Sequence, residues 1–143
     1  MVNVILIERV LNDIRSHLND LRAAEDITWE RYRTDIRARR FVERTLHILI
    51  EACIDVAQHL ISDENMREPN SYQDAFVVLA EHGVVHSTDL PRLQAMASLR
   101  NLIVHYYEKI DDAMVFGIFK QRLGDFDIFV DRIADYLLKH AQS

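Results

Sequence analysis

The chain has 143 residues, a length typical of one domain with its own hydrophobic core. It contains only 3 glycines and 2 prolines, too few for the many turns of a β-sandwich or barrel and for a glycine-rich phosphate loop. The net charge of −6 argues against capture of nucleic acid by the charge of the whole molecule. We therefore expect a single all-α domain spanning residues 1–143.

The chain shows no sign of export or membrane insertion. No apolar run reaches the ~20 residues needed to cross a bilayer, and Glu8 and Arg9 interrupt the apolar start of the chain. We expect no signal peptide, no membrane contact and a cytoplasmic location. The single cysteine, Cys53, lies among apolar residues and cannot form an internal disulfide, which predicts a buried side chain without redox chemistry.

Apolar periodicity predicts the first two helices. Apolar residues recur every three or four positions from Val2 to Glu25, as on one face of an amphipathic helix. After a break at Asp26–Thr28, a second long helix carries an apolar line that includes Cys53. The polar residues from Ser62 to Ser71 indicate its end and a loop.

Capping residues delimit the later helices. A third helix is predicted over Tyr72–Glu81, with Ser71 or Asn70 as its N-cap and Gly83 closing it in a left-handed turn. A fourth helix opens near Ser87–Pro91 and continues through Tyr106. Two further segments are expected, Met114–Leu123 and Asp125–His140, the second with Asp125 as N-cap. The fold predicted is an up-and-down bundle of about five helices.

Arginines are concentrated at the start of the second helix. Six of the 17 basic residues are arginines between positions 31 and 44: Arg31, Arg33, Arg37, Arg39, Arg40 and Arg44. Two interpretations are open, a solvated start of a helix or a patch that faces phosphate.

The fourth helix carries the residues best suited to chemistry. At about 100° per residue, Arg100, Asn101 and His105 lie on one side with Tyr107, whereas Tyr106 falls on the apolar side and is expected to be buried. The Asn101 amide, one turn before His105, is placed to orient the imidazole. A histidine to move a proton and an arginine to bind a phosphate are what RNA cleavage without a metal requires, with the 2′-hydroxyl as nucleophile. A structural role for these polar residues is the alternative.

A polar line on the second helix supplies partners for this site. Its members step by three or four residues: Arg40, Arg44, His47, Glu51, Asp55 and His59. Because a buried charge needs a partner, either Glu51 or Asp55 is expected to pair with Arg100 and hold its guanidinium. A di-iron site is not expected, because that site needs Glu-x-x-His motifs and the sequence has none. We expect neither a metal nor a cofactor.

These residues resemble those of a known family. Arg100, Asn101, His105 and Tyr107 match the Arg-x4-His-x-Tyr signature of the HepT-like toxins of the HEPN superfamily. The stretch from Arg44 to His59 resembles the second helix of the family, and residues 71–79 and 123–129 resemble later segments. The resemblance covers nearly the whole chain except residues 24–39.

The resemblance implies a metal-independent endoribonuclease that works as a homodimer, with both Arg-x4-His motifs in one cleft. By the same resemblance, Arg100 and His105 are catalytic and Asn101 shapes the site. Arg40 and Arg44, from the arginine cluster of the second helix, are candidates for RNA contact. It further implies an MntA-like nucleotidyltransferase antitoxin that transfers AMP to Tyr107. The alternative function is a non-catalytic HEPN module that binds a nucleotidyltransferase or a nucleotide.

Overall fold

The computed structural model describes residues 2–140, and within this range the chain is all-helical, as the sequence predicts. Its α-helices are α1 (Val4–Ala23), α2 (Trp29–Thr34), α3 (Ile36–Asp63), α4 (Tyr72–Glu81), α5 (Leu90–His105), α6 (Asp112–Gln121) and α7 (Gly124–His140). Two 3-10 turns, Ser87–Asp89 and Tyr107–Lys109, flank α5. No helix in this part of the chain is both long and apolar enough to cross a membrane.

Helix α3 lies at the centre of the bundle. It packs against α1, α2, α4, α5 and α6, and its apolar line is inaccessible to solvent, including Leu46, Leu49 and Cys53. Cys53 is buried, as predicted, and its burial raises the pKa of the thiol. Helix α1 covers α3 with the predicted stripe, from Ile7 to Leu21. The central position of α3 brings its polar residues beside α5.

The ends of α4 follow the predicted capping chemistry. Ser71 is the N-cap, and its hydroxyl accepts a hydrogen bond of 3.0 Å from the Asp74 amide. Gly83 has a φ of 73°, and the Val84 amide donates to the Leu79 carbonyl at 2.9 Å. This left-handed closure returns the chain to the core at Val84.

Residues 2–140 form seven α-helices, whereas the sequence predicts about five, and the second predicted helix is in fact two helices. Asp35 separates them: it is the C-cap of α2 and, with an extended backbone, the N-cap of α3. Its carboxylate accepts hydrogen bonds from the Arg37 and Ala38 amides, which together with Arg31 lower its pKa.

Several other helix bounds also differ from the predicted positions. Asp111 caps α6, which therefore begins at Asp112 rather than Met114. Helix α7 begins at Gly124, so Asp125 lies in its first turn and is not its N-cap. Helix α5 ends at His105, because Tyr106 leaves the helical conformation at φ −138° and ψ 47°. A 3-10 turn follows and returns Ile110 to the core.

Candidate active site

Arg100 is held in place by Glu51 across the α3–α5 interface. Its Nε donates to Glu51 Oε1 at 2.6 Å, and its side chain keeps only 15% exposure. The guanidinium carbon also lies 4.7 Å from the centroid of the Tyr72 ring, at the start of α4. Residues of α3 and α4 therefore hold the guanidinium of this α5 residue, which keeps a small part of its surface open to solvent.

The structure chooses between the two predicted carboxylate partners of Arg100. Glu51 makes the ion pair, whereas Asp55, one turn further along α3, makes no contact with Arg100 and is exposed. Burial acts to raise the pKa of Glu51, but hydrogen bonds from Arg100 and His47 hold it below its ordinary value of 4.5. Burial and the neighbouring Glu51 raise the pKa of Asp55. Glu51 is therefore the ionised partner at neutral pH.

The Glu51 carboxylate continues a chain of hydrogen bonds along α3. His47 Nε2 lies 3.2 Å from Glu51 Oε1, and Arg44 Nη1 lies 3.4 Å from His47 Nδ1. Because a guanidinium only donates, Nδ1 of His47 accepts and the ring proton sits on Nε2. Arg44 is thus linked to Arg100 through His47 and Glu51.

His105 lies at the C-terminal end of α5, and its side chain is exposed. The predicted hydrogen bond with Asn101 does not form: the Asn101 amide oxygen accepts from Arg100 Nη1 at 3.3 Å. Within residues 2–140 the imidazole makes no hydrogen bond, and its ring packs near Tyr106 with centroids 6.4 Å apart. The ring is therefore available to a group arriving from solvent.

The two tyrosines after His105 are not arranged as a continued helix would place them. The prediction that Tyr106 is buried is wrong, since it is 51% exposed, against 42% for Tyr107. Tyr107 lies in the 3-10 turn, where the Arg40 guanidinium stacks 5.1 Å from its ring centroid. The turn brings the predicted acceptor tyrosine to the arginine-rich start of α3.

Sequence reasoning missed two contributors to this site. Tyr72 was expected only as the first residue of a helix, and Glu43 was given no role. Glu43 is buried, with Oε1 3.7 Å from both Arg39 Nε and Arg40 Nη1. Burial raises the pKa of Glu43, partly offset by these arginines. Glu43 lies three residues after Arg40 and four after Arg39, and this spacing in the sequence could have predicted ion pairs within the helix.

The described part of the chain contains no grouping of three His, Cys, Asp or Glu side chains suited to a metal ion. The charge at the site is instead carried by Arg100 and its carboxylate partner.

Comparisons with known proteins place this geometry in a family. The family model described as "Ribonuclease HepT-like" matches residues 7–133. The "tRNA nuclease HepT" of Aphanizomenon flos-aquae is 26% identical over 140 residues, covering 96% of this chain and 95% of that protein. The "mRNA nuclease HepT" of Shewanella oneidensis is 30% identical over 102 residues, covering 71% of this chain and 77% of that protein.

A solved structure agrees with these relatives. The tri-AMPylated HEPN toxin of Shewanella oneidensis, in complex with its MNT antitoxin, superposes with a TM-score of 0.83 at 25% identity. The alignment covers 94% of this chain and 99% of that chain. The all-helical bundle is thus that of a HEPN toxin, and the matching family model is that of a ribonuclease. The chain belongs to the HepT-like ribonuclease family and is an endoribonuclease.

Proposed function

We propose that the protein is the toxin of a toxin–antitoxin pair and cleaves RNA without a metal ion. The observation that carries the mechanism is the largely buried Arg100, fixed by Glu51 at 2.6 Å, on the same helix as the exposed His105. A fixed guanidinium stabilises charge that develops on a phosphate, and an imidazole moves protons near neutral pH.

In the proposed reaction the 2′-oxygen of RNA attacks the adjacent phosphorus, and the bond to the 5′-oxygen breaks. His105 takes part in moving the proton from the 2′-hydroxyl to the departing 5′-oxygen. Arg100 stabilises the negative charge of the five-coordinate phosphorus in between. The products are a 2′,3′-cyclic phosphate and a free 5′-hydroxyl. Asn101 shapes the site through its hydrogen bond with Arg100.

We propose that a nucleotidyltransferase antitoxin silences the enzyme by transferring AMP to the Tyr107 hydroxyl. Support comes from the AMPylated relative and from the exposure of Tyr107 beside Arg40. An AMP group on Tyr107 places a phosphate next to the arginines that would otherwise receive RNA. RNA and the modification then compete for one cationic surface.

We propose that two copies of the chain build the cleft. An apolar groove of about 690 Å³ runs along α5, and its lining includes Ala95, Ser98 and Leu102. The exposed His105 continues this line by the same helical spacing. A second copy seated on the groove would exclude water from the apolar face and bring two His105 side chains to one interface.

The test is digestion of RNA by the purified protein in the presence of EDTA. Wild type is expected to cleave and leave cyclic phosphate ends, whereas folded Arg100→Ala and His105→Ala variants lose at least about 100-fold in rate. Cleavage that persists in both variants would contradict the assignment. Antitoxin binding without any RNA cleavage by wild type would favour the non-catalytic module.

Mixing the two inactive variants tests the shared cleft. If Arg100 of one chain works with His105 of the other, exchange of subunits regenerates one intact site in each mixed dimer. About a quarter of wild-type activity is then expected, because half of the dimers are mixed and each has one intact site. A mixture that stays inactive after verified exchange shows that each site uses residues of one chain.

A further inference from the structure

The arginines at the start of α3 differ in whether a carboxylate neutralises them. Arg31 pairs with Asp26 and Asp35, Arg33 with Glu30, and Arg39 and Arg40 with the buried Glu43. Two have no carboxylate partner within residues 2–140: Arg37 makes no side-chain hydrogen bond or ion pair there, and Arg44 contacts only His47. Of the six arginines, these two have their positive charge least compensated.

Arg37 and Arg44 flank an exposed aromatic residue. Phe41 is four residues after Arg37 and three before Arg44, so the three side chains share one face of α3 over about 10 Å. Phe41 is 38% exposed, although most large apolar side chains of α3 are buried. Phe41 therefore presents part of its ring to solvent between two arginines that lack carboxylate partners in the described part of the chain.

This face is continuous with the candidate active site on two sides. Arg44 joins Arg100 through His47 and Glu51, by contacts of 3.4, 3.2 and 2.6 Å. Arg40, on the neighbouring side of α3, stacks on Tyr107. Arg44 and then Phe41 therefore follow from Arg100 along α3, on a surface that also carries Glu51.

We propose that Phe41, Arg37 and Arg44 form a binding site for single-stranded RNA outside the catalytic cleft. The Phe41 ring stacks on one base, and the two arginines bind the phosphates on either side. This inference rests on the proposed ribonuclease function and adds to it the form of RNA that the enzyme holds beside the scissile bond.

Single-stranded RNA fits this face better than a duplex or a protein partner. A ring can stack only on a base that is not already stacked on both faces, which an unpaired segment supplies and a duplex interior does not. The uncompensated charges lie one turn before and one turn after the ring, as a phosphate backbone on both sides of a stacked base requires. A stacking ring between phosphate contacts also tolerates any base, so this site would add affinity without strong sequence preference.

The test measures binding of a fluorescein-labelled single-stranded oligouridylate by anisotropy, in the full-length chain carrying His105→Ala to prevent cleavage. Phe41→Leu, which keeps an apolar side chain, is expected to raise Kd about 10-fold, and Phe41→Trp to stay within about twofold of the parent. Arg37→Gln and Arg44→Gln should each make the negative slope of log association constant against log salt concentration shallower by about 0.7. Phe41→Leu should leave this slope unchanged. Arg33→Gln is the matched control, since Glu30 already neutralises Arg33, and is expected to change neither quantity.

The RNA-binding site can be excluded while the proposed ribonuclease function stands. If wild type cleaves RNA while Phe41→Leu, confirmed as folded by circular dichroism, binds the oligouridylate within twofold of the parent, this site is excluded and the ribonuclease function stands. The site is also excluded if Phe41→Leu weakens binding of an RNA duplex equally. A change of oligomeric mass or loss of an antitoxin complex in Phe41→Leu, with RNA affinity unchanged, would identify a protein interface instead. Should Phe41→Leu not fold, an unchanged salt slope in Arg37→Gln overturns the proposal.

Discussion

Glu51 controls the position of Arg100. The carboxylate receives Arg100 Nε and His47 Nε2 on the same oxygen, Oε1, and its lowered pKa keeps it charged at neutral pH. A flexible arginine side chain loses rotamer entropy when it binds phosphate. Because the pairing with Glu51 already orders the Arg100 side chain, less entropy is lost when RNA binds. The proposed enzyme therefore depends on a residue that need not touch RNA.

Replacing Glu51 tests this dependence. Glu51→Ala is expected to lower kcat about 10- to 100-fold, because a charge-assisted hydrogen bond to Arg100 is worth about 1.5–3 kcal/mol. Glu51→Gln keeps an acceptor oxygen and should fall between Ala and wild type. Steady-state cleavage of a labelled RNA, with kcat and KM determined separately, is the measurement.

Asp55→Asn is the matched control for Glu51, since Asp55 lies one turn along α3 without contacting Arg100. It should leave kcat within about twofold of wild type, as surface substitutions generally perturb little. An equal loss in Asp55→Asn and Glu51→Ala would show that the effect comes from the charge of α3 and not from the contact with Arg100.

Residue-level prediction from the sequence succeeded where helical spacing governs geometry. The polar residues of α3 and α5 predicted that a carboxylate of α3 would pair with Arg100 of α5. Glu51 forms this ion pair. Spacing could not choose between Glu51 and Asp55, because that depends on the axial offset of two packed helices. Tyr72 was not predicted as a contact of Arg100, because it reaches the guanidinium from a third helix.

Elements were predictable where local chemistry and packing agree. The cap at Ser71 and the closure at Gly83 are local and were predicted correctly. The break at Asp35 was missed because it interrupts a continuous helical pattern by means of a single capping side chain. The end of α5 at His105 was missed because neither Gly nor Pro marks it; the chain turns there so that Ile110 can return to the core.

Two glycine substitutions of the same kind should have opposite effects on stability. Gly83 has a φ of 73°, so Gly83→Ala is expected to lower the free energy of unfolding by about 1–2 kcal/mol. Gly117 lies inside α6, where an added Cβ meets nothing within 4 Å. Gly117→Ala should therefore raise the free energy of unfolding by about 0.5–1 kcal/mol. Urea unfolding at one fixed protein concentration measures both. A destabilised Gly117→Ala variant would mean that the Cβ disturbs packing between helices.

On the scale of the whole molecule, an acidic protein carries a cluster of arginines at the start of α3. The chain carries a net charge of −6, yet Arg37 and Arg44 lack carboxylate partners within residues 2–140, and Arg40 stacks on Tyr107. This cluster attracts an anionic RNA although the net charge of the chain is negative. A modification on Tyr107, beside Arg40, then adds a negative charge next to the same cluster.

This arrangement predicts where a nucleotidyltransferase would act. Incubation of wild type with the partner enzyme and ATP is expected to add one or more AMP masses and to stop RNA cleavage, whereas Tyr107→Phe should remain unmodified and active. Tyr106→Phe is the matched control: Tyr106 is the more exposed, but its ring lies 5.3 Å from Lys109 Nζ, and Arg40 stacks on Tyr107. Intact-mass spectrometry and the cleavage assay on the same samples decide the outcome. Modification that persists in Tyr107→Phe and disappears in Tyr106→Phe would move the acceptor to Tyr106 and separate it from the arginines of α3.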